Sequence, residues 1–363
     1  MALVRGTFSA DLISLTSALA STIDADIIYA GEGNDTVFGA GGDDFIKGDS
    51  GNDELRGEEG NDQIFGDRGL DTIFGGNGDD LVDGGSDADL LFGDAGLDTL
   101  LGGSGNDTLL GGSGNDQLLG SIGNDVSVGE TGDDELIDTS GNNTLDGGLG
   151  NDSLTAGGGI DVLVGDGVYI PGTTLFQGGN DSLFGGNGND SLYGGYVVIN
   201  ATTGLPQSFL AASGNDTLDG SGGNDLVDGQ DGTDVLIGGS GNDTVVGGRG
   251  ADTVQGAGAT GDFEIDLLYG DVPGSTTGAG ADVFVLGNST TVFYDAAGTG
   301  DFALIVDFQA GSDKIQLNGS NMMAYGFGIS GTETQIFYNG DLIGRVLNIT
   351  PTNLLNSGSI VFA

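Results

Sequence analysis

Aspartate returns at every ninth residue of this chain. Asp26, Asp35, Asp44, Asp53, Asp62, Asp71, Asp80, Asp89, Asp98, Asp107, Asp116, Asp125 and Asp134 follow one another without a slip of register. Asn143 breaks the row, and Asp152 and Asp161 resume it. Further copies follow at Asp181 and Asp190, at Asp216, Asp225, Asp234, Asp243 and Asp252, and more loosely at Asp266 and Asp282. Each Asp is sixth in a nine-residue phrase, such as GGSGNDTLL and GGSGNDQLL at 102–119. Glycine at places one, two and four permits φ > 0 and lets main-chain carbonyls turn inward on a tight bend. Carboxylate and carbonyl oxygens together, with no nitrogen or sulfur donor, suit Ca²⁺. These Asp residues are therefore the candidate metal ligands.

The residues that are missing exclude other chemistries. The chain has 363 residues, with no Cys and no His. It can build no disulfide framework, no thiolate or imidazole metal site and no Ser-His-Asp triad. Its 55 acids against 7 bases give a formal charge of −48. Such a chain repels itself until a cation neutralises it, and it has too few bases to hold nucleic acid. No apolar run reaches the length of a membrane span. Matches to G-x-G-x-x-G are by-products of the repeat, and no D-x-D-x-D-G loop lies between helical segments.

The elements that must position the Asp residues are short strands. Places seven to nine form a three-residue strand, and period two puts place eight on one face alone. Place eight reads Val37, Ile46, Leu55, Ile64, Ile73, Val82, Leu91, Leu100, Leu109 and Leu118, a single-file apolar core. One unit makes a turn and a strand, so two units close one coil. Place nine, pointing outward, is also largely apolar. It reads Phe38, Arg56, Phe74, Phe92, Leu110 and Val128 on one sheet. On the other it reads Tyr29, Lys47, Phe65, Asp83, Leu101, Leu119 and Ile137. Such a stripe either packs on itself up the stack or joins rolls side by side.

The phrase G-G-x-G-x-D-x-U-x, with U a large aliphatic, resembles the calcium-binding nonapeptide of the RTX (repeats-in-toxin) family of secreted bacterial proteins, over roughly Asp26 to Asp282. The resemblance implies an all-β fold, a parallel β-roll (β-solenoid) with a C-terminal β-rich cap. It implies a Ca²⁺ between neighbouring turns, with Asp35 stacked on Asp53 and Asp44 on Asp62. That arithmetic gives about 14 ions in the first run and about 20 if the stack continues past its interruptions. About twenty Ca²⁺ would bring the charge near −8, an ordinary value for a soluble protein.

The expected organisation is an N-terminal cap at 1–20, a first roll segment at 21–195 with an insert near 166–177, and an insert loop at 196–213. A second roll segment follows at 214–286, with an insert near 257–280, and a cap at 287–363. Leu12 to Ile23 is mildly apolar, and Ala18-Leu19-Ala20 has the form of a cleavage site. Asp11 and five Ser/Thr residues dilute the stretch, which is read as a capping strand or helix. The segment around Asp307-Phe308 and Gly311 to Ile315, and the tail GSIVFA, resemble the C-terminal part of type I secretion substrates. Thr334 to Val346 reads as a hairpin turning at Asn339-Gly340.

The expected function is that of a non-enzymatic protein that folds on Ca²⁺ outside the bacterial cell, as a structural, surface-layer, matrix or adhesion component. It would be exported by the type I machinery and could form a homo-oligomer, filament or layer. The alternative is a calcium-binding accessory, secretion or folding module of a partner exoprotein. The first run is expected to be weakest at 125–146, where Ser127 stands at place eight, Asn143 at place six and Asp138 in place of the first glycine.

Overall fold

Aliphatic and β-branched residues behind glycine turns favour short strands that stack by main-chain pairing. The computed structural model describes residues 3–7, 9, 12–14, 25–166, 179–195, 197–199, 206–208, 214–257, 264–271, 280–287, 294 and 302–363. Two compact units divide the chain, Met1–Val162 and Leu163–Ala363.

In the first unit, alternate strands go to two sheets. One contains Ile27–Glu32, Phe45–Ser50, Gln63–Arg68, Leu81–Ser86, Thr99–Ser104 and Gln117–Ile122. The other contains Glu54–Glu59, Thr72–Asn77, Leu90–Ala95, Thr108–Ser113, Val126–Thr131 and Thr144–Leu149. Every pairing is parallel and offset by one coil. Leu91 faces Leu109 and Leu100 faces Leu118. This is a parallel β-roll. The place-eight aliphatics from Ile46 to Leu118 have no exposed surface and form a single-file core that Ile28, Val37, Leu136, Leu145 and Leu154 extend at both ends. Burying each contributes roughly 1.5–3 kcal/mol.

Most strands of the first unit are six residues long, not three. They continue through places one to three of the next phrase, as Leu90–Ala95 does. The register skips place one, passing from Phe92↔Leu110 to Asp94↔Gly112. Place two carries the left-handed backbone, in Gly76 (φ 116°) and also in Asp67 (φ 71°) and Asp94 (φ 70°). Place one does not, so its glycine answers to a different demand.

Place nine is half-buried rather than exposed. Phe74 and Phe92 stack at 4.6 Å with planes 3° apart, and the Arg56 guanidinium lies 4.1 Å above the Phe74 ring. Tyr29 and Phe65 each touch the ring of Phe45, a place-seven residue, at 5.9 and 5.5 Å. These side chains touch one another up the stack and keep part of their surface toward solvent.

The second unit repeats the plan. Ser182–Phe184, Thr217–Asp219, Val235–Gly239, Thr253–Ala257, Val283–Val285, Lys314–Leu317 and Ile360–Phe362 form one parallel row. The tail GSIVFA thus supplies the last strand of that row. Leu183 pairs with Leu218, 35 residues on, and Val197–Ile199 pairs antiparallel with Pro206–Ser208 in a separate two-stranded sheet. The hairpin at Asn339-Gly340 is present, with positive φ at both residues, and Tyr325–Ser330 adds a third antiparallel strand. A short helix, Pro351–Asn356, starts at the N-cap Thr350. Ala18-Leu19-Ala20 and most of the inserts near 166–177 and 257–280 lie outside the described residues.

Candidate calcium ladder

The predicted Asp residues are all buried, none more than 8% exposed. Their two carboxylate oxygens have different environments. Oδ1 accepts the main-chain N–H of the Asp one coil earlier. Asp98 N donates to Asp116 Oδ1 at 2.9 Å, and Asp62 N to Asp80 Oδ1 at 2.7 Å. The bond persists where the two residues are 35 apart in sequence, as from Asp181 N to Asp216 Oδ1. Oδ2 has no hydrogen-bond donor at any place-six Asp from Asp44 to Asp134, nor at Asp216, Asp225, Asp234, Asp243, Asp252 or Asp282.

Place-one glycine explains where Oδ2 points. A Cβ built on Gly102 would lie 2.6 Å from Asp107 Oδ2 and 2.8 Å from the carbonyl oxygen of Gly120, one coil on. Gly111 meets Asp116 Oδ2 and Gly129 O in the same way. A side chain there would fill the space on which carboxylate and carbonyl oxygens converge. Glycine at place one therefore serves close approach, not backbone freedom. Among the described residues no three acidic side chains converge as a metal cage, so the main chain must supply the remaining oxygens.

The electrostatics call for a cation. Burial pushes the carboxyls of Asp62 and Asp89 up to about 7, and that of Asp98 up to about 8, with neighbouring carboxylates adding to the effect. In the second unit, burial raises Asp234 and Asp243 to about 8. A buried carboxylate without a counter-charge costs free energy that a bound cation offsets. Buried unpartnered oxygens, a cradle that a Cβ would occupy and an all-oxygen donor set fit Ca²⁺.

Several residues outside the sequence prediction complete the ladder. Place five runs a second row of bonds in the opposite direction. Asn124 N donates to Asn106 Oδ1 at 2.9 Å, and Asp79 N to Asn61 Oδ1 at 3.0 Å. The Asn or Asp that precedes many of the place-six Asp residues was the available signal. At the far end, hydrogen-bond donors stand where a cation would otherwise be needed. The buried Tyr294 hydroxyl donates to Asp266 Oδ2 at 2.5 Å and accepts from Ala257 N at 2.7 Å. A Cβ on Gly256 would collide with both oxygens. Tyr294 thus fills the cradle, and the donor set at Asp266 does not fit a metal ion. Asp313 ends the other edge, its Oδ1 accepting from Asp282 N at 3.3 Å and its Oδ2 from Gln309 N at 2.6 Å.

The RTX calcium-binding nonapeptide repeat family matches at residues 21–55, 56–91, 92–126, 128–163, 177–195, 210–245 and 237–259, more than half of the chain. No curated protein matches over its sequence. Among solved structures, the extracellular lipase LipA of Serratia marcescens is similar at 18% identity and a TM-score of 0.21. That likeness covers 72% of this chain and 40% of the lipase. The chain belongs to the RTX family, and its nonapeptide repeats bind multiple Ca²⁺ ions.

Proposed function

We propose that this protein is a secreted structural component, non-catalytic, that folds when Ca²⁺ fills its turns outside the cell. The observation that carries this reading is the row of buried Asp Oδ2 atoms without donors, from Asp44 to Asp134, each beside a place-one glycine. In this reading the place-six Asp residues hold the ions, apart from Asp266, where Tyr294 takes the ion's place. Oδ1 fixes each turn to its neighbour, Oδ2 and the place-one carbonyls face the ion, and the ion removes the repulsion of the stacked carboxylates. Extracellular modules of this oxygen-donor kind work at roughly millimolar Ca²⁺. Among the described residues no helix is long and apolar enough to cross a membrane. RTX repeats are typical of secreted bacterial proteins, which supports an extracellular or surface location reached by type I export.

Once neutralised, rolls can meet along the half-buried stripe at Phe74, Phe92 and Leu110 and build a layer or filament. Electron microscopy and light scattering test this, first in chelator and then in millimolar Ca²⁺. Assembly in Ca²⁺ alone, lost on changing all three residues to Thr, is the expected result. Single rolls in Ca²⁺, or equal assembly by the triple variant, would contradict the structural role.

A further inference from the structure

The unit at 138–146 departs from the repeat twice. Asp138 is the acidic residue at place one in the first run, and Asn143 is the one residue other than Asp at place six. The two departures are coupled in space. Asn143 keeps the structural half of the missing carboxylate, because its Oδ1 accepts from Asp125 N at 3.1 Å. Its Nδ2 stands where the other units aim Oδ2, buried and without an acceptor. An amide N–H₂ is a donor and cannot ligate a cation.

Asp138 faces the cradle of Asp125, the residue whose N–H Asn143 holds. It is 1% exposed, and neither carboxylate oxygen has a hydrogen-bond donor of normal geometry. A Cβ on Gly120 would collide with Asp138 Oδ2 and lie 2.9 Å from Asp125 Oδ2. At the regular turns a carbonyl oxygen one coil on occupies that position, as Gly129 O does beside Gly111. Burial first, then the charge of Asp125 and a side-chain hydrogen-bonding contact with it, push the Asp138 carboxyl upward; the Ser140 N–H pulls the other way more weakly.

We propose that in this unit the cation-binding carboxylate has moved from place six to place one, so that Asp138 and Asp125 share a Ca²⁺ ion. The inference rests on the calcium ladder proposed above. One carboxylate is lost and one gained within the same unit, so the charge of the row is unbroken. Asn143 remains as a hydrogen-bonding spacer. A shared proton between Asp125 and Asp138 is the opposing arrangement, and the two differ in what Asp138 does to calcium demand.

The test uses the full chain at pH 7.5 and reads amide hydrogen exchange against free Ca²⁺. Asp138→Gly restores the consensus glycine and leaves Asn143 without a companion carboxylate. It should raise the Ca²⁺ concentration that protects residues 117–145 by at least about tenfold, while residues 54–92 stay within about twofold. Asp138→Gly combined with Asn143→Asp should return the midpoint to that of the unaltered chain. If Asp138→Gly leaves the midpoint unchanged or lowers it, Asp138 is not a ligand and the proposal is wrong. Asp107→Asn separates the two levels of inference. If it shifts protection at its own turns while Asp138→Gly shifts nothing, only the relocation fails; if neither shifts, the ladder fails with it.

Discussion

Residues 81–118 and residues 125–146 are built to the same plan with different materials. In the first stretch Val82, Leu91, Leu100, Leu109 and Leu118 fill the core without exposed surface. In the second, Ser127 keeps the inward place at 2% exposure, with no hydrogen bond to its Oγ, while Val126 stays 39% exposed beside it. The backbone does not rotate to bring a valine in, because a one-residue slip would move every side chain to the wrong face. The strand pairing is undisturbed, with Leu109↔Ser127 and Ser127↔Leu145 in register. Main-chain pairing and the Asp Oδ1 bonds thus fix position, while apolar burial and cations set strength. The defect at Ser127 leaves the ladder unbroken.

Proton concentration should act on both stretches most strongly. Burial raises Asp107 and Asp134 to about 6, Asp89 to about 7 and Asp98 to about 8, all above the ordinary carboxylate value of 3.8. A raised folded value means stability that is complete below about pH 4 and lost as pH rises through the folded values. In chelator, therefore, the roll should show β circular dichroism near pH 4 and lose it between about pH 6 and 8. Loss of structure on going toward acid in chelator would reverse the sign and contradict the burial of these groups. Excess Ca²⁺ should abolish the transition above pH 6.

Leu109→Ala should cost about 2–5 kcal/mol in Ca²⁺-saturated chemical denaturation, since a thin core cannot collapse around the cavity. That would make the regular stretch resemble 125–146. A cost below about 1 kcal/mol would show that cations alone hold the coil. The converse change, Ser127→Val, removes a buried hydroxyl without a partner and adds apolar area. It should gain about 1–3 kcal/mol and slow exchange at 125–146 toward the rates at 98–118. Destabilisation by Ser127→Val would mean that the hydroxyl is needed.

The smallest effect concerns place five. Leu97 is 58% exposed and offers no oxygen to Asn115 N, whereas Asn106 caps Asn124 N. Leu97→Asn should stabilise by about 0.5–1 kcal/mol, and Asn106→Ala should cost a similar amount. No change in either variant would show that water replaces the bond at no cost.

The sequence made the period, the apolar place eight and the Asp row legible, because each is a repeated local pattern. It showed that Ser127 and Asn143 depart from the pattern. It could not show that Asp138 lies over the same cradle as Asp125, since that contact forms between coils. The two jobs of the Asp carboxylate were hidden for the same reason. Strand length was misjudged because glycine at place one looked like a turn residue, when it is a flat passage past an oxygen cradle. Tyr294 could not be found at all: it meets Asp266 at a separation of 28 residues, outside the nine-residue register. Asp313 lay inside a quoted motif, but its place at the end of the Oδ1 row depends on pairing between Val283–Val285 and Lys314–Leu317.

The central claim is that cations in the turns, and not strand pairing alone, hold the roll together. Circular dichroism at pH 7.5 during a Ca²⁺ titration of the chelated full chain tests it most directly. A chain without β signal in chelator that gains it cooperatively as Ca²⁺ is added is the expected result, because binding free energy becomes folding free energy. A complete β spectrum in chelator, unchanged by Ca²⁺, would contradict it.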